Sequence, residues 1–193
     1  MYKNKKILLI TLLAFVMNAN SNICTPSKTY LNDDEPKIFP HINSLLAPAG
    51  LVPTNIGGKK IIIKGSISDK DCKLIPNANV YLWQVGHNGK YNYKPLRKNI
   101  NEKLFEISKT STFQGAGSAI SDNLGNFNFI TIYPQSIDKK EPYINLRVEH
   151  ATFGTLQTKI YLNDIKPTRN PNENFDLYQI DIVMPVVNTQ IRY

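Results

Sequence analysis

Three histidines, two cysteines and ten tyrosines stand beside the carboxylates as the side chains that could hold a metal or move a proton. His41, His87 and His150 are scattered, and no Cys-x-x-Cys or His-x-x-x-His spacing occurs. With Cys24 and Cys72 they therefore do not describe a zinc site. Serine, histidine and aspartate are all present, without the spacing of a nucleophile elbow. Gly115-x-Gly117 resembles a phosphate-binding loop only superficially: no helix start follows it, and it reads as turn geometry. The carboxylates Asp33-Asp34-Glu35 lie in a stretch rich in Pro, Asn and Asp and read as solvated. Trp83 and its neighbouring tyrosines could line a pocket for an aromatic ligand or pack in a core.

The elements that must position these residues begin after a targeting segment. Lys3, Lys5 and Lys6 precede an apolar run from Ile7 to Met17, and small residues follow at Ala19-Asn20-Ser21. That run is shorter than the ~20 residues that span a bilayer. It describes a secretory signal peptide over residues 1–21, cleaved after Ser21 or Ala19, and hence an exported protein, periplasmic or secreted. No transmembrane segment remains after cleavage. Asn22-Ile23 before Cys24 is not the small-residue context that lipidation needs. In an oxidising compartment Cys24 and Cys72 could be joined or remain apart, and their separation in space is not readable from the sequence.

The net charge of +8 falls once the three leader lysines are removed, and the remaining surplus is spread along the chain. Lys59-Lys60 and Lys139-Lys140 are its densest clusters, which describes a solvated basic surface and not a nucleic-acid site. Residues 22–58 read as an extended N-terminal arm, with Ile42 to Ala47 its one apolar stretch, and residues 59–193 as a single domain. Strands are expected at 60–68, 79–84, 125–132, 144–148, 155–162 and 175–183, where apolar residues alternate or cluster between turn residues. Pro95 to Lys109 has a weak helical pattern. About seven short strands without a long helix give an all-β, antiparallel sandwich.

Several stretches, in order, carry a family resemblance. Trp83-Gln84-x-x-x-x-Gly89-x-Tyr91 follows the corner Gly65-x-x-x-Asp69 and Ile75-Pro76-Asn77-Ala78-x-Val80. Phe113-x-Gly115-x-Gly117 leads into Ser121-Asp122-x-x-Gly125-x-Phe127-x-Phe129 and then Thr131-Ile132-x-Pro134. Leu156-x-Thr158-x-x-Tyr161 closes the series, and Thr25-Pro26-Ser27-x-Thr29 opens it. Together they resemble the intradiol ring-cleavage dioxygenases, the family of catechol and protocatechuate dioxygenases.

The resemblance implies an Fe(III) ion held by two tyrosinates and two histidines, which inserts oxygen into a catechol-like aromatic. Phenolates stabilise the ferric state and neutral imidazoles complete the set. It also implies assembly through sheets and arms, so that a homodimer is an open arrangement. Tyr91 falls on the first tyrosine. The second should follow Pro134, where the residues are Gln135-Ser136-Ile137. The histidine pair, two and four residues after a proline, falls on Ile144 and Leu146 after Pro142, and the preceding arginine falls on Glu141. Three of the four ligands are thus unmatched, a degenerate iron site at which hydrocarbon stands where imidazole would be. Without that site the scaffold would serve as a non-catalytic module binding a ligand or a protein.

Overall fold

Isoleucines at every second position make the first strand. In β1 (Lys60–Ser68), Ile61, Ile63 and Ile67 point to one face and are fully buried, while Lys60 and Lys64 are exposed. The computed structural model describes residues 23–31, 33–98, 101–137, 139–169 and 175–185. The expected signal peptide lies outside the described residues.

The other strands are β2 (Asn79–Trp83), β3 (Ala116–Ile120), β4 (Asn126–Ile132), β5 (Tyr143–His150), β6 (Gly154–Tyr161), β7 (Thr168–Arg169) and β8 (Asp176–Val183). They form two four-stranded sheets, ordered β4-β1-β8-β7 and β3-β2-β5-β6. The fold is an all-β sandwich. Its pairings are antiparallel except β1 with β8, which runs parallel from Ile61↔Asp176 to Ser68↔Val183. Ile61, Ile63, Phe129 and Ile180 from the first sheet meet Val80, Leu82, Leu146 and Leu156 from the second in the main core.

Two stretches depart from the expectations. In the segment from Pro95 to Lys109, the described residues contain one 3₁₀ turn, Glu102–Leu104, capped by the Asn101 side chain. Strand β3 was hidden in the sequence by its glycines. Gly115, at φ +69°, makes the expected turn, but Gly117 lies within the strand. The reason is close approach: the Ile42 carbonyl accepts from the Ser118 backbone N–H at 3.0 Å, and a Cβ on Gly117 would overlap that carbonyl oxygen. Gly117→Ala is accordingly expected to lower stability by about 1–3 kcal/mol in a urea titration. An unchanged midpoint would mean that residue 42 is not held against β3.

The N-terminal arm is tied down along its length. Cys24 and Cys72 form a disulfide with a Cα–Cα distance of 5.3 Å. Backbone N–H groups of Ser27, Tyr30 and Lys37 donate to the carbonyls of Val183, Gln157 and Lys94. Leu45 and Leu46 enter the main core, so the arm supplies packing as well as cover. No helix among the described residues is long and apolar enough to cross a membrane.

Candidate functional site around Tyr91 and Asp34

The site lies on the outer face of the β3-β2-β5-β6 sheet, away from the main core. Strand alternation decides which residues reach it. Leu82 of β2 and Ile144, Leu146 and Val148 of β5 point into the sandwich, all fully buried. Their odd-numbered neighbours Trp83 and Tyr143 point the other way and join Tyr91, Val85, Ala116 and Ile137 in a second apolar cluster.

The positions singled out in the sequence fall on both sides of this sheet. Tyr91 lies beyond one face of the sheet, whereas Ile144 and Leu146 fill the core behind the other, so the three cannot surround one ion. They are core residues because their parity in β5 always directs them inward. The β5 residues on the face of Tyr91 are Tyr143, Asn145 and Arg147, one position out of step with the expected pair. Ile137, in the stretch expected to supply a second tyrosine, is buried in the cluster of Tyr91.

Tyr91 is buried, stacked on Phe105 at 5.1 Å and tilted against Tyr93 at 5.3 Å. Its hydroxyl donates a short hydrogen bond to Asp34 Oδ2 and lies 3.5 Å from the Tyr143 hydroxyl. The indole Nε1 of Trp83 donates to Asp34 Oδ1 at 3.1 Å, and the Tyr93 hydroxyl donates to the Asp34 carbonyl at 2.8 Å. One arm residue thus satisfies three buried aromatic donors, each of which would be costly to leave unpaired. Burial, then the Asp34 carboxylate, pushes the Tyr91 phenol far above the ordinary tyrosine range, and the same causes act on Tyr93. Lys159 lies 4.7 Å from the Tyr143 ring centre; burial holds its ammonium group below the ordinary lysine value, opposed by Asp34.

The reading of Asp33-Asp34-Glu35 as a solvated trio is therefore overturned for two of its members. Asp33 is exposed, paired with Arg97 at 2.8 Å. Asp34 is drawn into the aromatic cluster, and Glu35 pairs with Arg147, whose guanidinium lies over the Tyr81 and Phe39 rings at 4.4 and 5.2 Å. These contacts join residues far apart in the chain, and no local pattern announces them. Trp83 is packed, wholly buried beneath Phe39.

The histidines stay elsewhere. His41 Nδ1 lies 3.3 Å from the Ser118 hydroxyl, His87 Nδ1 lies 3.1 Å from the Ile56 carbonyl, and His150 Nδ1 accepts from the Thr152 backbone N–H. The Tyr133 hydroxyl donates to Asn163 Oδ1 at 2.7 Å. Among the described residues no group of three or more His, Cys, Asp or Glu is placed to hold a metal. The set of two phenolates and two imidazoles does not fit the residues around Tyr91.

A family model described as Dioxygenase matches residues 47–164, more than half of the chain. This chain belongs to the intradiol ring-cleavage dioxygenase family. It is 35% identical over 174 residues to a Rickettsia felis protein named "Putative dioxygenase", covering 84% of this chain and 83% of that one. The Rickettsia bellii protein of the same name is 34% identical over the same coverage. Among solved structures, the chain is similar to the dioxygenase domain of a dioxygenase–carbohydrate-binding fusion from Streptomyces sp. SirexAA-E. The TM-score there is 0.63 at 16% identity, covering 84% of this chain and 99% of that one. Catechol 1,2-dioxygenase from Acinetobacter sp. ADP1 superposes with a TM-score of 0.61 at 16% identity, over 82% of this chain and 62% of that one. The structural likenesses speak for the sandwich fold.

Proposed function

We propose that this protein is an exported member of the intradiol dioxygenases that takes catechol-like aromatic compounds and has parted with the family's two-phenolate, two-imidazole ferric centre. One observation carries the reading: the side chains gathered around Tyr91, among them Trp83, Ile137 and Tyr143, are closed over by Asp34, and none of them among the described residues is an imidazole. Membership of the intradiol ring-cleavage family, and the likeness to a structure named catechol 1,2-dioxygenase, support the ligand class.

Export rests on the leader at residues 1–21 and is supported by the Cys24–Cys72 disulfide, which belongs to oxidising compartments. Mass spectrometry of the protein recovered from the periplasm or medium should find an N-terminus near Asn22; recovery only from the cytoplasm with Met1 or Tyr2 leading would remove this part.

The test of the function is ring opening. After exposure to ferrous iron and air, the protein is expected to consume no oxygen with catechol and to form no ring-opened diacid above a protein-free control. Sustained turnover that disappears in Tyr91→Phe would overturn the proposal and restore a working dioxygenase.

A further inference from the structure

We propose that the cleft between His87, Tyr133 and Tyr178 is a binding site for a small uncharged phenol, a single aromatic ring whose hydroxyl both donates and accepts a hydrogen bond. The inference goes beyond the functional reading, because this cleft stands apart from the Tyr91 cluster: Tyr178 belongs to the main core and Tyr133 packs against it. The space is about 400 Å³, bounded by Lys59 just before β1, His87 in the turn after β2, Tyr133 and Gln135 after β4, and Tyr178 of β8. Small-molecule sites occupy ~300–1,000 Å³, so one ring with its substituents fits.

Two polar groups of the cleft have no protein partner. Tyr178 is 5% exposed, yet its hydroxyl makes no hydrogen bond to any described residue and is not sealed from solvent. A tyrosine so deeply buried ordinarily pairs its hydroxyl, so this one is open to a partner from outside. His87 supplies the second group, and its ring is held in place. Its Nδ1 lies 3.1 Å from the Ile56 carbonyl, and the ring lies so close to Gly57 that a Cβ there would fall 2.3 Å from Nδ1. Gly57 has φ +61°, which glycine adopts without strain. A carbonyl only accepts, so Nδ1 carries the proton and, in the neutral ring, Nε2 is an acceptor. Nε2 has no partner among the described residues.

Ring geometry and charge select the guest. The rings of Tyr133 and Tyr178 stand 6.1 Å apart and inclined by 47°, an aromatic wall for a third ring. Tyr133 is fixed there by its hydrogen bond to Asn163. The Lys59 ammonium is already paired with the Asp176 carboxylate, so it offers no uncompensated charge. Burial raises both phenols above the ordinary tyrosine value; Glu141 adds to this at Tyr133 against Lys59, and Tyr133 and Asp176 add to it at Tyr178. The Tyr178 hydroxyl is therefore a donor. An anionic guest would meet Asp176 and Glu141, and a cationic one would meet Lys59. An uncharged phenol meets neither conflict: its O–H donates to His87 Nε2 and its oxygen accepts from Tyr178.

The experiment is a titration of the isotope-labelled full chain with catechol, under argon and with a chelator present, followed by amide NMR. The expected result is saturable binding with shifts concentrated at His87, Tyr133 and Tyr178, while the amides of Trp83 and Tyr143 stay in place. Cyclohexanediol, which keeps the hydroxyls and lacks the aromatic ring, should not bind. His87→Ala and Tyr178→Phe should each weaken catechol binding about three- to tenfold, the loss of one hydrogen bond. His87 is exposed and Tyr178→Phe keeps its ring, and a urea titration checks that both variants are folded; where Tyr178→Phe is not, His87→Ala decides. No saturable shift, shifts centred on Trp83 and Tyr143, equal binding of cyclohexanediol, or an affinity that the folded variants leave unchanged would each overturn the site. Its failure is distinct from that of the functional reading, which falls only if catechol is ring-opened in iron and air, both excluded from this titration.

Discussion

Leu146→His is expected to lower stability by about 3–5 kcal/mol and to create no metal ligand. Leu146 is fully buried, pairs with Leu82 across β2 and β5, and belongs to the main core between the sheets. An imidazole there both removes packed hydrocarbon and brings a polar ring into a space built from Val80, Leu82 and Leu156. The change is read as a fall in the urea midpoint, with iron retention measured in parallel. Wild-type stability would contradict the inward direction of Leu146. Gain of iron binding would place residue 146 on the face of Tyr91 after all.

The second large effect concerns the arm. The Cys24–Cys72 bridge joins residues 48 apart, and closing a loop of that length in the unfolded chain corresponds to about 4 kcal/mol in the chain-entropy treatment. Cys24→Ser with Cys72→Ser should therefore shift the urea midpoint strongly downward. Trp83 supplies an independent signal, being the single tryptophan of the chain and wholly buried beneath the arm residues Asp34 and Phe39. If the bridge keeps the arm seated, its loss also shifts tryptophan emission to the red before the sheets melt. An unchanged midpoint and emission would show that the backbone bonds of Ser27, Tyr30 and Lys37 hold the arm unaided.

These effects share one structural cause. The sheet carrying β5 has two covered faces, one packed on the partner sheet and one closed by the arm, so adjacent residues of a single strand belong to different environments. Ile144 and Leu146 stabilise the sandwich, while Tyr143 meets the phenol of Tyr91. A substitution aimed at the site and one aimed at the core are separated by a single position.

Much of the sandwich was legible in local pattern. The alternation of Ile61 and Ile63 with Lys60 and Lys64 marks β1 because successive side chains of a strand point to opposite faces, and the same rule marks Phe127 and Phe129 in β4. The run Trp83-Gln84-x-x-x-x-Gly89-x-Tyr91 likewise identified the segment that delivers the buried tyrosine. Strand β3 was not legible, because Gly117 is required by the Ile42 carbonyl of the distant arm and not by its own neighbours. Alternation also says which residues of β5 share a face without saying which face meets Tyr91; packing of the whole sheet decides that. Asp34 depends on tertiary structure altogether. Fifty-seven positions separate it from Tyr91, and a carboxylate in a polar stretch looks solvated until the arm folds across the sheet and sets it against the buried donors of Trp83 and Tyr91.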